Sequence, residues 1–329
     1  MPPIIAAANS PDATAAPGRG RGKTMKATFI DCPPFLHELY RGELAEIVPD
    51  LEINLGSPLP DEAIRLLEGS TFAMNDHTTM DAALLEACPS LKCIVFLGTG
   101  AASFIDLAAA ERLGIRVRTY GGYGDQSVAE HALALMFAAG RGIARMDREI
   151  RAGQFEPVNG IEFAGKSLGV VGTGGIGKAM VRLGAALGMR VLAWNRSGVP
   201  EDLPAQATEI DDLLAQADVV SIHLALNDGT RGLIDRRRLG LLKPGAIFIN
   251  TARGAIVAEE ALIEALQAGR IAHAGLDVFA TEPLPPDHPL GGLPNVTMTA
   301  HAAFATREAS DRLLRTALEI LAEERRTPR

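Results

Sequence analysis

Residues 167–197 read SLGVVGTGGIGKAMVRLGAALGMRVLAWNRS, and the order of parts in this stretch decides the fold. An apolar run, a glycine-rich turn, a helical pattern and a second apolar run follow one another, as in a βαβ unit. The turn carries Gly172, Gly174 and Gly177 in GxGxxG spacing. The first glycine permits a tight turn, the second lets backbone approach a pyrophosphate, and the third brings helix close to strand. The helix N-terminus then faces the anion. In this strand–loop–helix context, Gly172, Thr173, Gly174, Gly175, Ile176 and Gly177 read as a dinucleotide-binding loop.

The next strand ends in Trp194-Asn195-Arg196-Ser197. An Asp or Glu at about this distance, roughly 20 residues on, would hold the ribose 2′-hydroxyl of NAD. A neutral Asn195 removes the carboxylate that would repel a 2′-phosphate. Arg196 can grip that phosphate bidentately and Ser197 can add a hydrogen bond. The reading favours NADP over NAD, with a solvated surface charge as the alternative for Arg196.

On both sides of this unit the chain alternates. Upstream, KATFIDC, EINLG, TFAMND, KCIVFLG and IRVRTY read as strands, with DEAIRLLEG and MDAALLEAC as helices between them. Downstream, DVVSIHL, AIFINT, IAHAGLDVF and NVTMTA continue the pattern. Such alternation predicts parallel sheets with crossover helices. SVAEHALALMFAAGRGIARM, Ser127 to Met146, reads as one long helix opened by a capping box of Ser127 and Glu130. AEEALIEALQAG is a helix from about Ala258 that stops near Gly269. A final helical pattern, REASDRLLRTALEILAEERR, is expected to pack back on the first series and make that domain discontinuous.

Ligands of open α/β sheets bind beyond the carboxyl ends of the strands. AIFINT leads there to Arg253, AHAGLDVF to Glu282, and NVTMTA to His301. This trio suits reduction of a 2-oxo acid. Histidine titrates near working pH and can protonate a developing alkoxide. A carboxylate orients the imidazole and favours its cation. An arginine holds the carboxylate and carbonyl oxygens. The alternative for His301 is a buried structural histidine, which needs no Glu and Arg at neighbouring strand ends.

With these residues in place, the chain resembles the D-isomer-specific 2-hydroxyacid dehydrogenases, in particular the glyoxylate and hydroxypyruvate reductases, from about residue 26 to 325. SVAEHALAL, GKSLGVVGTGGIG, ADVVSIHLALNDGTRGLI, INTARGAIVAEEAL, AGLDVFATEP and TAHAAF stand in the family's order. The resemblance implies two Rossmann/flavodoxin-like, doubly wound parallel-sheet domains with a cleft between them. Residues 25–122 and 302–329 would form the substrate domain and 123–301 the dinucleotide domain, hinged near 123 and 301. Residues 1–24 are read as a flexible tail. The same resemblance makes Arg253 the substrate-binding arginine, Glu282 the histidine's partner and His301 the acid/base. Asp277 would lie near the nicotinamide carboxamide, and Thr251 and Ala252 are placed with the cofactor. His223 and His131 read as structural or cofactor-flanking. RMDREIRAGQFEPVNGIEF matches the region that relatives commonly use to dimerise, so a homodimer is expected.

Two loops depart from the family pattern. Where relatives have GxGxDNxD, this chain has GTGAASFID, one residue longer and without the first Asp. Gly98, Thr99 and Gly100 still read as amide donors to a substrate carboxylate, with a plain turn as the alternative. The other substrate-side loop, AMNDHTT, holds Asn75, Asp76 and His77 and no Lys or Arg. Phosphoglycerate dehydrogenases of this family carry arginine near there, and an uncompensated acid would repel a phosphate. The expected substrate is therefore a small unphosphorylated oxo acid: glyoxylate, hydroxypyruvate or a 2-ketogluconate-like sugar acid. A phosphoglycerate dehydrogenase-like enzyme and a dinucleotide-sensing, corepressor-like binding protein remain the alternatives.

Bulk properties agree. The 329 residues carry a net charge of −8, which argues against nucleic acid as partner. No apolar run approaches a membrane span of about 20 residues. Cys32, Cys88 and Cys93 form no CxxC pair and read as reduced thiols of a cytosolic protein. No metal site is assigned.

Overall fold

A computed structural model describes residues 25–326, so the expected tail over 1–24 lies outside the described residues. The described chain divides into two units: residues 25–37, 45–119 and 317–326 in the first, 38–44 and 120–316 in the second.

The first unit is built on strands β1 (Ala27–Cys32), β2 (Glu52–Leu55), β3 (Phe72–Asn75), β4 (Cys93–Phe96) and β5 (Arg116–Arg118). Helices α1 (Pro34–Tyr40), α2 (Pro60–Leu67), α3 (Ala82–Glu86) and α4 (Leu107–Arg112) intervene. The sheet order is β2-β1-β3-β4-β5 with every pair parallel, the flavodoxin-like winding. All residues of β1, β3 and β4 are buried, as a parallel sheet covered on both faces requires.

The second unit opens with helices α5 (Asp125–Arg141) and α6 (Ile143–Arg151). Strand β6 (Ser167–Val171), helix α7 (Gly175–Ala186), strands β7 (Arg190–Trp194) and β8 (Gln206–Ala207), and helix α8 (Ile210–Gln216) follow. Then come β9 (Val219–Ile222), α9 (Arg236–Leu239), β10 (Ala246–Asn250), α10 (Glu259–Gln267), β11 (Ile271–Leu276), β12 (Val296–Met298) and α11 (Arg307–Arg326). The order β12-β11-β10-β9-β6-β7-β8 is again parallel throughout, a Rossmann winding with one added edge strand. Leu135, Met136 and Met180 pack with Val170 and Ile249 on one face. Leu214 and Leu262 pack with Ile222 and Phe248 on the other.

The doubly wound fold read from the sequence is thus the observed one. The long helix is not. It starts at Asp125 behind Gly124, and Ser127 is no cap: it is buried in the first turn, its hydroxyl 2.8 Å from that of Thr306. Gly142, at φ 63°, ends the helix and starts α6, and a Cβ there would stand 2.8 Å from Val158 Cγ1. The C-terminal helix is shared rather than wholly in the first unit. Its first half groups with the second unit, where Tyr120 donates its hydroxyl to Leu313 O (2.5 Å) and Arg312 Nε donates to Tyr123 O (2.8 Å). Its last turn belongs to the first, where Glu324 takes both Arg116 and Arg118 and Arg325 pairs with Asp50 at 2.6 Å.

Candidate functional site

In the second unit, β6 runs into Gly172 at φ 102°, and a Cβ there would lie 2.4 Å from His223 O. A Cβ on Gly177 would lie 1.8 Å from Gly172 O, so helix and loop pack at glycine distance. Gly174 has nothing within 4 Å of its Cβ position, which leaves the loop face open at the N-terminus of α7. At Gly175 the Asp125 Oδ2 stands 1.6 Å from where a Cβ would be; a carboxylate fills the space a side chain would need.

In the same unit three buried polar atoms have no partner among the described residues: Thr173 Oγ1 in the loop, His223 Nδ1 in the residue whose carbonyl meets Gly172, and Thr251 Oγ1 after β10. Burial pushes the His223 imidazole down to about 4, so it is neutral, with Nε2 bound to Ser221 Oγ at 2.8 Å. Orphaned donors and acceptors cost free energy unless a ligand meets them. Together with the open glycine face they fit a bound dinucleotide. Beside the loop, a cavity of about 340 Å³ is lined by Thr173, Lys178, Asn195, Ser197 and Gly198, among others. Asn195 spends its amide on that turn, donating to Ser197 Oγ (2.8 Å) and Gly198 O (3.2 Å). Arg196 is exposed and does not line the cavity; its Nη1 lies 3.7 Å from the Cβ position of Gly229.

The chemistry-bearing trio follows the ends of three adjacent strands, where Asn250 is in register with Leu276 and Leu276 with Met298. Asn250 Nδ2 donates to Arg253 O at 3.1 Å and fixes the turn that presents the arginine. Gly254 permits that turn to press on the next loop, since a Cβ would stand 2.0 Å from the Phe279 carbonyl carbon. Glu282 Oε1 accepts from Phe279 N at 2.9 Å, which aims its other oxygen at His301 Nδ1, 2.7 Å away. Nε2 of His301 is thereby left for a reacting group. His301 is the one described non-glycine residue at positive φ, 49°, a strained conformation that the surroundings must hold.

Asp277 does the holding. It is fully buried and accepts from Thr299 Oγ1 (2.5 Å), Ala302 N (2.9 Å) and Ala303 N (3.0 Å). Its carbonyl accepts from His301 N at 2.8 Å. Its carboxylate thus shapes the His301 turn, at the end of the strand where the carboxamide of a nicotinamide is expected. His131 joins behind, with Nε2 2.9 Å from Thr299 Oγ1.

In the first unit, Gly98 follows β4 at φ 121° and Gly100 opens a single turn at Ala101–Ser103. Asn75, expected on the substrate side, is buried and spends its amide on Thr78, accepting from its N (3.0 Å) and donating to its O (2.9 Å). The structure makes it an organiser of the loop. Sequence reading missed the larger feature here. Asp31, fully buried at the end of β1, accepts from the backbone N–H groups of Asp76, His77 and Thr78 at 2.7–2.9 Å. His77 stands between Asp76 Oδ2 (3.1 Å from Nδ1) and Ser57 Oγ (2.5 Å from Nε2). The hydrogen bond to Asp76, with the Asp31 charge behind it, holds the imidazole's pKa above its usual range despite burial. Only the acid-histidine pair in NDHTT signalled it.

Among the described residues no cluster of His, Cys, Asp and Glu could hold a metal, and no helix is long and apolar enough to cross a membrane. The three cysteines are free and buried, and burial first of all pushes the Cys32 and Cys93 thiols up to about 12.

Residues 133–303 match the family model described as D-isomer specific 2-hydroxyacid dehydrogenase, NAD binding domain. A glyoxylate reductase of Aeropyrum pernix is 40% identical over 254 residues, covering 74% of this chain and 76% of that protein. A D-3-phosphoglycerate dehydrogenase of Mycobacterium leprae is 41% identical over 254 residues, covering 74% of this chain but 47% of the relative. Among solved structures, the TT0316 protein from Thermus thermophilus superposes with a TM-score of 0.81 at 34% identity, covering 91% of this chain and 97% of that one.

Proposed function

As the chain belongs to the D-isomer specific 2-hydroxyacid dehydrogenases, we propose that it reduces a small, unphosphorylated 2-oxo acid with NADPH. Glyoxylate and hydroxypyruvate are the first candidates, with a 2-ketogluconate-like sugar acid behind them. The observation that carries the reading is the 2.7 Å bond between Glu282 and His301 Nδ1 at the end of adjacent strands.

A nicotinamide dinucleotide held at the glycine loop would supply hydride-transfer chemistry at the carbonyl carbon. Arg253 holds the oxo acid through its carboxylate and carbonyl oxygens and draws charge toward the oxygen. His301 Nε2 gives its proton to the alkoxide as it forms. Glu282 keeps the ring in one orientation and offsets the imidazolium charge before transfer. In the first unit, the amides of Gly98, Thr99 and Gly100 are assigned to a carboxylate. The neighbouring loop sets two carboxylates, Asp31 and Asp76, against one histidine, which disfavours a phosphate-bearing substrate.

The cofactor preference is supported by Asn195 and Ser197, which leave no carboxylate against a 2′-phosphate. A homodimer is supported by residues 145–163, where Ile150, Phe155 and Ile161 stand exposed at 56%, 87% and 37%. Three free thiols suit a cytoplasmic setting.

The test is turnover of NADPH and NADH with glyoxylate, hydroxypyruvate, 2-ketogluconate and phosphohydroxypyruvate, by wild type and His301→Asn. The variant is expected to lose about 10²–10⁴ in kcat while binding dinucleotide as before. Unchanged kcat would remove the proton-transfer role. A wild type that binds dinucleotide and turns over no oxo acid would instead be a sensor.

A further inference from the structure

Lys178 is not among the residues assigned so far, yet it lines the cavity beside the dinucleotide loop. It is the fourth residue of α7, and its backbone N–H closes the first turn onto Gly174 O at 2.9 Å. Its side chain is half-buried and makes no ion pair or hydrogen bond among the described residues. Thr173 lines the same space with a hydroxyl that is buried and unpartnered, in a residue only 4% exposed. Ser197 and the turn held by Asn195 line it too, with no carboxylate among the lining residues. Arg196, the obvious cation, rests against Gly229 instead.

We propose that Lys178 is a specificity-determining residue for the cofactor, the cation that receives the adenosine ribose 2′-phosphate together with Thr173 and Ser197. This rests on the NADPH reading above and deepens it. A phosphate dianion in a cavity walled by hydroxyls needs a counter-charge, and an ammonium on the first turn of a helix adds to the partial positive charge there. A ribose 2′-hydroxyl needs none, so the lysine discriminates. Arg196 must turn away from Gly229 to join it.

Calorimetry on the full chain with adenosine 2′,5′-bisphosphate and with AMP separates the outcomes. Wild type should bind the bisphosphate more tightly than AMP. Lys178→Ala should weaken the bisphosphate by about tenfold or more and AMP by less than about twofold. Lys178→Arg, which keeps charge and reach, should restore most of the loss. Bisphosphate affinity unchanged in Lys178→Ala, with the wild-type preference intact, would overturn the inference and leave the NADPH reading standing on Arg196. Equal loss for both ligands would move Lys178 to the shared part of the nucleotide and overturn it too. A wild type that does not prefer the bisphosphate would sink the NADPH reading, and the inference with it.

Discussion

Asp125 and Gly175 show how one residue pair tunes a loop. The Asp125 carboxylate sits where a Gly175 side chain would be, at the first turn of α7, and so offers negative charge to a helix end suited to a pyrophosphate. Asp125→Asn should therefore tighten dinucleotide binding several-fold, about 1 kcal/mol, as read by calorimetry; weaker binding would mean that the carboxylate organises the loop. His223 gives a second residue-level expectation. Its folded pKa of about 4 lies below the ordinary 6.5, so the unfolded chain binds the extra proton between those values. Stability from this group is complete above the unfolded value and is lost as pH falls toward 4, by up to about 3 kcal/mol. His273, also pushed down to about 4, acts with the same sign. Urea unfolding of His223→Gln should show a shallower loss between about pH 7 and pH 4; an unaltered slope would assign the acid sensitivity elsewhere. The sequence disclosed Arg253, Glu282 and His301 because each follows a strand of recognisable pattern. It did not disclose Asp31, Ser57 or Lys178, since their meaning depends on which loops lie side by side. The roles of Asn75 and Asp277 in shaping their loops were not legible either, because their bonds to Thr78 and to Thr299, Ala302 and Ala303 depend on the folded turns.

Elements were legible where periodicity and glycine agreed. The strand–GxGxxG–helix unit and α10, which stops before Gly269 at φ 66°, came directly from pattern. The α5–α6 break did not, because Gly142 lies within an unbroken helical spacing and its left-handed backbone answers to Val158, sixteen residues along the chain from it. Gly177 shows how tightly an element can depend on such a position. Its missing Cβ clears the Gly172 carbonyl, which is backbone and cannot rotate aside. Gly177→Ala should cost about 1–3 kcal/mol in chemical denaturation and abolish dinucleotide binding. A variant of wild-type stability and affinity would show that helix and loop do not pack as described.

At the scale of the molecule, both parallel sheets were foreseeable from alternation and their winding from the family resemblance, while the division of the C-terminal helix was not. Nothing in its amphipathic pattern marks Thr316 as a boundary; the partners Tyr120, Tyr123, Arg116 and Arg118 do. The proposed dimer is a property of this scale as well. Ile150→Glu combined with Phe155→Asp should convert a two-chain species into a single chain in sedimentation, since both side chains stand in water in the lone subunit. A monomeric wild type, or a dimer indifferent to both changes, would place the interface elsewhere.

The shared helix also bears on the order in which the molecule can be made. A ribosome delivers residues from the N-terminus at about 5–20 per second, and domains generally fold as they emerge. The first unit has its strands by residue 118 but lacks Glu324 and Arg325, the partners of Arg116, Arg118 and Asp50, until much later, Glu324 following Arg116 by 208 residues. The second unit, drawn almost entirely from residues 120–316, holds its own core before then. The part begun first is thus the part finished last, and a nascent chain stalled after Thr316 would carry a completed dinucleotide unit beside an unfinished neighbour.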